Sequence, residues 1–110
     1  MKRGDIIIIN TKGNIGKAHP ALVIQNDILN NGEGMSTTII LPLTSEIQAI
    51  ETFRYTIKPT MTNGLQTESQ IMVDKISQVL KSKIQKTIGQ ITKKQLNEIE
   101  SRLLAVLGVK

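Results

Sequence analysis

The sequence predicts a mainly β fold with a C-terminal α-helix, in one domain spanning residues 1–110. Three observations predict it. Short β-branched or alternating apolar segments, each bounded by Gly, Pro or Asn, fill the chain as far as Ile91. From Thr92 onward the apolar residues recur at helical spacing instead. The core material is aliphatic: 39% of residues are hydrophobic, yet there is no Trp, one Tyr (Tyr55) and one Phe (Phe53). Short strands with frequent turns favour a small barrel or sandwich over a parallel sheet, and the helix would cover one mouth or face of it.

The elements follow in order. Asp5 and the isoleucines Ile6 to Ile9 read as a strand buried on both faces, or one at a barrel or dimer seam. Residues 10–19, "NTKGNIGKAH", read as a loop loosened by Gly13 and Gly16. Pro20 holds His19 extended and opens the strand "ALVIQ". Residues 26–36 are polar and glycine-bearing, hence a loop. "TTIILPLT" is a third strand, with Pro42 placing part of it at an edge or bulge. Ser45 is positioned to cap a short turn through Gln48. In "TFRYTIK", Phe53, Tyr55 and Ile57 alternate with Arg54, Thr56 and Lys58, which predicts a half-buried strand with both aromatics inward. Asn63-Gly64 signals a turn. "QIMVDKISQVLK" gives one long or two kinked strands, and "KIQKTIGQI" a short one. Thr92 with Gln95 forms a capping-box pattern for a helix over about 92–107. Leu96, Ile99, Leu103, Val106 and Leu107 line its apolar face, and Gly108 ends it.

Composition excludes several classes. There are no cysteines, so disulfides and thiolate metal sites are out, and one histidine cannot build a paired-imidazole zinc motif. The apolar run of "MKRGDIIIIN" is too short for a signal segment, and no stretch approaches a spanning helix, so a soluble cytoplasmic protein without cofactor is expected. "KGNIGK" lacks the spacing of a phosphate loop and has Ala18 where Ser or Thr is needed. The net charge of +5 fits either plain solubility or a polyanionic partner.

The ordered set "MKRGDI", "HPALVIQND", "LTSEIQ", "NGLQTESQIMVDKI" and "IESRLLAVLGV" resembles the MazF/PemK/Kid toxin family over almost the whole chain. The resemblance implies a small SH3-like barrel that works as a homodimer. It implies metal-independent cleavage of single-stranded RNA, with an acidic antitoxin segment as neutralising partner. It also places Thr44 at the family's active-site threonine, Asp74 at a functional aspartate of one branch, and Ser69 at a serine common after the "G-L" turn. His19 departs from the pattern, since an arginine usually precedes the "P-x-L-V-I" strand. A second arginine, in or after "QIMVDKIS", is also missing; Met72, Lys75 and Ser77 stand nearby. The missing arginines motivate a second reading, a non-catalytic antitoxin-binding protein. A gyrase poison of the CcdB type ranks last, because the end "LLAVLGVK" carries no aromatic residue.

Metal-free RNA cleavage needs a base for the 2′-hydroxyl, an acid for the leaving oxygen, and positive or hydrogen-bonding groups for the phosphorane. His19 suits the acid or base role, because imidazole titrates near neutrality. Thr44 can donate its hydroxyl to a phosphate oxygen. Asp74 can orient His19 or take a proton. Lys12, Lys17 and Lys75 offer positive charge to RNA, with Ser45 and Ser69 as polar contacts. Each has a plainer alternative: a solvated loop histidine, a threonine closing its own turn, an aspartate facing water. The same choice holds for Lys81, Lys83, Lys86, Lys93 and Lys94, which either track phosphates or form a solvated face.

Overall fold

The computed structural model of the chain describes residues 1–10, 18–49 and 53–109. Its elements run β1 (Asp5–Asn10), β2 (Ala18–Val23), α1 (Asp27–Asn30), β3 (Thr37–Thr44), β4 (Arg54–Ile57), β5 (Ser69–Met72), β6 (Ser77–Leu80), a 3₁₀ turn (Lys81–Lys83), β7 (Ile84–Gln90) and α2 (Lys93–Leu107). The strands pair antiparallel in the order β4-β5-β3-β2-β1-β7, with β6 also on β3.

The four isoleucines explain why the sheet has two cores. Successive side chains on a strand point to opposite faces. Ile6 joins a cluster with Leu22, Leu41, Ile71 and Ile99, while Ile7 and Ile9 join Ala21, Val23 and Ile40 on the other side. The strand is thus buried on both faces, as its unbroken β-branched run predicts. The first cluster is closed by β4, β5 and α2; the second is flanked by Val79 and Ile84 of the curled edge strands.

β3 is paired along both sides rather than lying at an edge. On one side its partner is β2, with Pro42 opposite Ala21. On the other, residues 37–40 pair with β6 and residues 43–44 with β5. The change of partner falls at Leu41 and Pro42, where a residue without an N–H interrupts the ladder least. β2 likewise begins earlier than its sequence suggests. His19 belongs to the strand, opposite Ile9, and Pro20 faces Ile8. Pairing with β3 starts only at Ala21, so Pro20 falls where β2 has one neighbour.

The capping box of α2 is formed in full: the Gln95 N–H donates to Thr92 Oγ1 at 3.1 Å, and the Thr92 N–H to Gln95 Oε1 at 2.9 Å. Gly108 ends the helix with φ 75°. Ile99 is fully buried, and Leu96, Leu103 and Val106 pack beside it. Leu107, expected on the same face, is 56% exposed because it sits in the last turn. Polar ties hold the helix down: Arg3 pairs with Glu100 at 2.7 Å, and Arg102 lies over the Tyr55 ring at 5.2 Å.

Two further expectations are corrected. Residues 26–36 include one helical turn, α1, capped by the Asn26 side chain accepting the Ile28 N–H. Asn30 of this turn is buried and meets Gln25 and Thr38 through its side-chain oxygen, which gives the polar segment an inward anchor. Phe53 is 50% exposed, not core; it precedes β4, and only Tyr55 and Ile57 of the alternating set reach the apolar cluster.

Candidate active-site cleft

An open cleft of about 720 Å³ lies across the ends of β1, β2, β3 and β7. Apolar side chains of Ile8, Pro20, Leu43, Leu65 and Ile88 line it, together with His19, Thr44, Ser45, Glu46, Ser69 and Lys86. The sequence has brought these groups together from remote positions. His19 comes from β2 and Thr44 from the end of β3. The β2–β3 ladder ends where Ala21 pairs with Pro42, and beyond that end His19 and Thr44 both line the cleft. Lys86 enters from β7, where it pairs with Ile8 after a bulge in the ladder.

His19 is half-buried, and its Nε2 is shielded from solvent without a hydrogen-bond partner among the described residues. Leaving a buried polar atom unpaired costs about 1–3 kcal/mol, so such an atom calls for a reason. Thr44 Oγ1 accepts the Glu46 N–H at 3.1 Å, which closes the turn after β3. The turn is therefore capped by Thr44, not by Ser45, and the threonine proton is left to donate elsewhere. Ser45 is exposed on the rim. Ser69 lines the cleft but is only 4% exposed, and its hydroxyl donates to the Thr67 carbonyl at 3.1 Å.

The opposite wall is a locked turn. Asn63 Oδ1 accepts the N–H groups of Thr60 and Leu65, each at 3.0 Å, and its Nδ2 donates to the Lys58 carbonyl at 2.9 Å. Gly64 follows with φ 71°, the left-handed conformation that an Asn-Gly pair signals.

Other candidates lie elsewhere. Asp74 and Lys75 are exposed in the turn beyond β5, at the end away from Ser69, and neither lines the cleft. Lys12 and Lys17 lie outside the described residues. Among the described residues no cluster of His, Asp or Glu is arranged to hold a metal ion, and no helix is long and apolar enough to cross a membrane. Glu46 joins the cleft without a sequence signal, and of the five lysines from Lys81 to Lys94 that could track phosphates Lys86 lines it; nothing local in the sequence marks which face of a strand or turn the two occupy.

A family model described as the PemK-like, MazF-like toxin of type II toxin–antitoxin systems matches residues 2–107. The chain belongs to this family. Among relatives of the MazF-like toxin, one named "Probable endoribonuclease MazF", from Mycolicibacterium smegmatis (strain ATCC 700084 / mc(2)155), is 30% identical over 110 residues, 99% of this chain and 98% of the relative. The fold matches the Mycobacterium tuberculosis toxin MazF-mt6, with TM-score 0.80, 15% identity, and coverage of 96% of this chain and 98% of that one. It also matches a MazE-MazF crystal structure from Deinococcus radiodurans, with TM-score 0.81, 19% identity, and coverage of 100% and 98%. The MazF-like barrel with its C-terminal helix is thus the architecture of this chain; the strand and helix patterns predict a barrel or sandwich with that helix, and the family resemblance implies the barrel.

Proposed function

We propose that this MazF-like chain is an endoribonuclease toxin that cleaves single-stranded RNA without a metal ion, in the cleft holding His19, Thr44 and Lys86. The observation that carries the reading is the half-buried imidazole of His19 lining an open cleft together with a hydroxyl and a cation. His19 takes the proton of the 2′-hydroxyl. The O2′–P bond then forms, the P–O5′ bond breaks, and the departing O5′ is protonated from water in the open cleft. The products are a cyclic phosphate and a 5′-hydroxyl end. Thr44 donates its hydroxyl to a non-bridging oxygen, and Lys86 offsets the phosphorane charge. Asp74, outside the cleft lining, has no part in this step. Ser69 supports Thr67 rather than RNA, since its proton is already committed.

The same reading takes a cognate acidic antitoxin as the neutralising partner, a homodimer as the working form, and the cytoplasm as the compartment. The net charge of +5 suits both a polyanionic substrate and an acidic inhibitor.

The test uses purified protein, EDTA and a mixed-sequence single-stranded RNA. Cleavage leaving cyclic phosphate and 5′-hydroxyl ends is expected, with His19→Ala slower by about 10²- to 10⁴-fold. Absence of cleavage by the wild type overturns the function. Cleavage by His19→Ala at the wild-type rate overturns the role of the imidazole alone.

A further inference from the structure

Gln70 is a fully buried amide on β5, placed in register between Thr44 of β3 and Thr56 of β4. Residues directly opposite on antiparallel strands share a face. Its side chain therefore stands in a row with Thr44, beneath the turn that follows it. The amide clasps that turn at Gln48: Nε2 donates to the Gln48 carbonyl at 2.9 Å, and Oε1 accepts the Gln48 N–H at 3.0 Å. Its second donor goes to Thr56 Oγ1 at 3.1 Å, and its second acceptor site to Arg54 Nη1 at 3.3 Å. Two donors and two lone pairs are all a carboxamide has, and each is used. Arg54 Nη1 also reaches the Glu46 carbonyl at 3.2 Å. The span from Ser45 to Gln48 is thus held from both ends, by Thr44 and by the pair Gln70–Arg54.

We infer that Gln70 is a positioning residue for RNA cleavage: by fixing the Ser45–Gln48 turn, it fixes where the Thr44 hydroxyl donates. The inference rests on the nuclease reading of the cleft. The Glu46 N–H occupies one lone pair of Thr44 Oγ1, so the direction of the remaining O–H depends on where Glu46 sits. Glu46 sits where the Gln70 clasp and the Arg54 contact hold it. Polar burial at this depth is costly unless every atom is paired. A leucine would pack in the same volume and hold nothing. An ionised glutamate would lose both donations and face the Gln48 carbonyl with like charge.

The experiment compares wild type, Gln70→Leu, Thr44→Val and the double variant in single-stranded RNA cleavage, with folding checked by thermal melting. Gln70→Leu should lower kcat about 10- to 100-fold, the scale of a misplaced reacting group, with KM within about threefold. In the Thr44→Val background the same change should cost less than about twofold, because the two act as one unit. In the wild type the Gln48 amide should be protected from hydrogen exchange, and in Gln70→Leu it should not. A folded Gln70→Leu with full kcat, or an equal loss in both backgrounds, overturns the inference and leaves the nuclease reading standing. A wild type that cuts no RNA overturns the nuclease reading and the catalytic part of the inference with it; the exchange data then report the clasp alone. If Gln70→Leu does not fold, Arg54→Met decides: a kcat loss of several fold at constant KM supports the inference, and no loss overturns it.

Discussion

Thr44 Oγ1 accepts the backbone N–H of Glu46 at 3.1 Å, so the residue that closes the turn after β3 is also one that lines the cleft. Substitution tests the hydroxyl as a whole. Thr44→Ser keeps both the acceptor and the donor, and should retain cleavage within about tenfold, the loss reflecting a freer rotamer. Thr44→Val keeps the shape and loses the hydroxyl. Removing one donor to a developing oxyanion costs roughly 10²- to 10³-fold in kcat. Single-turnover cleavage of one defined RNA by the two variants checks this. Equal activity would leave the hydroxyl as a turn cap only.

Lys86 is exposed, lines the cleft and reaches it from β7. A phosphate contact there would act by counterion release. Lys86→Gln should weaken RNA binding to a similar degree for different sequences. It should also flatten the dependence of log K on log salt by roughly 0.7, the value for one contact on a single strand. Fluorescence anisotropy with a non-cleavable RNA over a salt series measures both. An unchanged slope would return Lys86 to the solvated face.

What was legible in the sequence is what depends on neighbours along the chain. The capping box at Thr92 and Gln95, the left-handed Gly64 after Asn63, and the doubly buried isoleucine strand are local patterns, and the structure contains each. Partners far apart in the chain were not legible. Lys86 pairs with Ile8 between two register shifts of the β1–β7 ladder, so simple alternation along the strand does not give its face. Gln70 looks like an ordinary strand residue until Gln48, 22 residues away, folds over it. Phe53 and Asp74 show the reverse. Alternation suggested a core aromatic and the family resemblance a functional aspartate, but the two residues sit beyond the ends of β4 and β5.

Tyr55 offers a clean titration, because it is the one tyrosine and there is no tryptophan. Its phenol is pushed up to about 12, first by burial, then by donating to the Glu98 carboxylate at 2.8 Å, whose charge opposes ionisation. Arg102 over the ring pulls weakly the other way. The folded-state value thus lies above the unfolded one. The contact stabilises the fold fully below about pH 10, the ordinary tyrosine range, and is lost as pH rises towards the folded-state value. Phenolate absorbance should rise near pH 10 in denaturant and well above it in the native protein. Glu98→Gln should move the native midpoint down part of the way, since burial remains. A native midpoint at 10 would show that the ring is neither buried nor bonded.

Gly89 is the residue that lets the far wall of the cleft dock on β7. A Cβ built there would overlap the carbonyl oxygen of Thr62 and the backbone of Asn63. The Gln90 N–H donates to the Thr62 carbonyl at 3.0 Å, so the turn is bonded at the same spot where it is crowded. Neither obstacle is a flexible side chain that could swing away. Gly89→Ala should therefore lift the Thr60–Gly64 turn and cost about 1–3 kcal/mol, the usual scale of overpacking. The displacement would pass to Leu65, Gln66 and Thr67, which continue from the turn into the cleft lining. Two measurements should consequently move together: a lower denaturant midpoint at unchanged m-value, and a reduced RNA cleavage rate under conditions where the variant is still folded. Ala at Gly34, where a Cβ meets nothing within 4 Å, serves as the comparison for a glycine whose cost is confined to its φ of 79°. That variant should lose stability without losing cleavage, because its turn does not border the cleft. If Gly89→Ala melts like the wild type, the turn does not dock on β7 as described, and the far wall of the cleft must be drawn elsewhere.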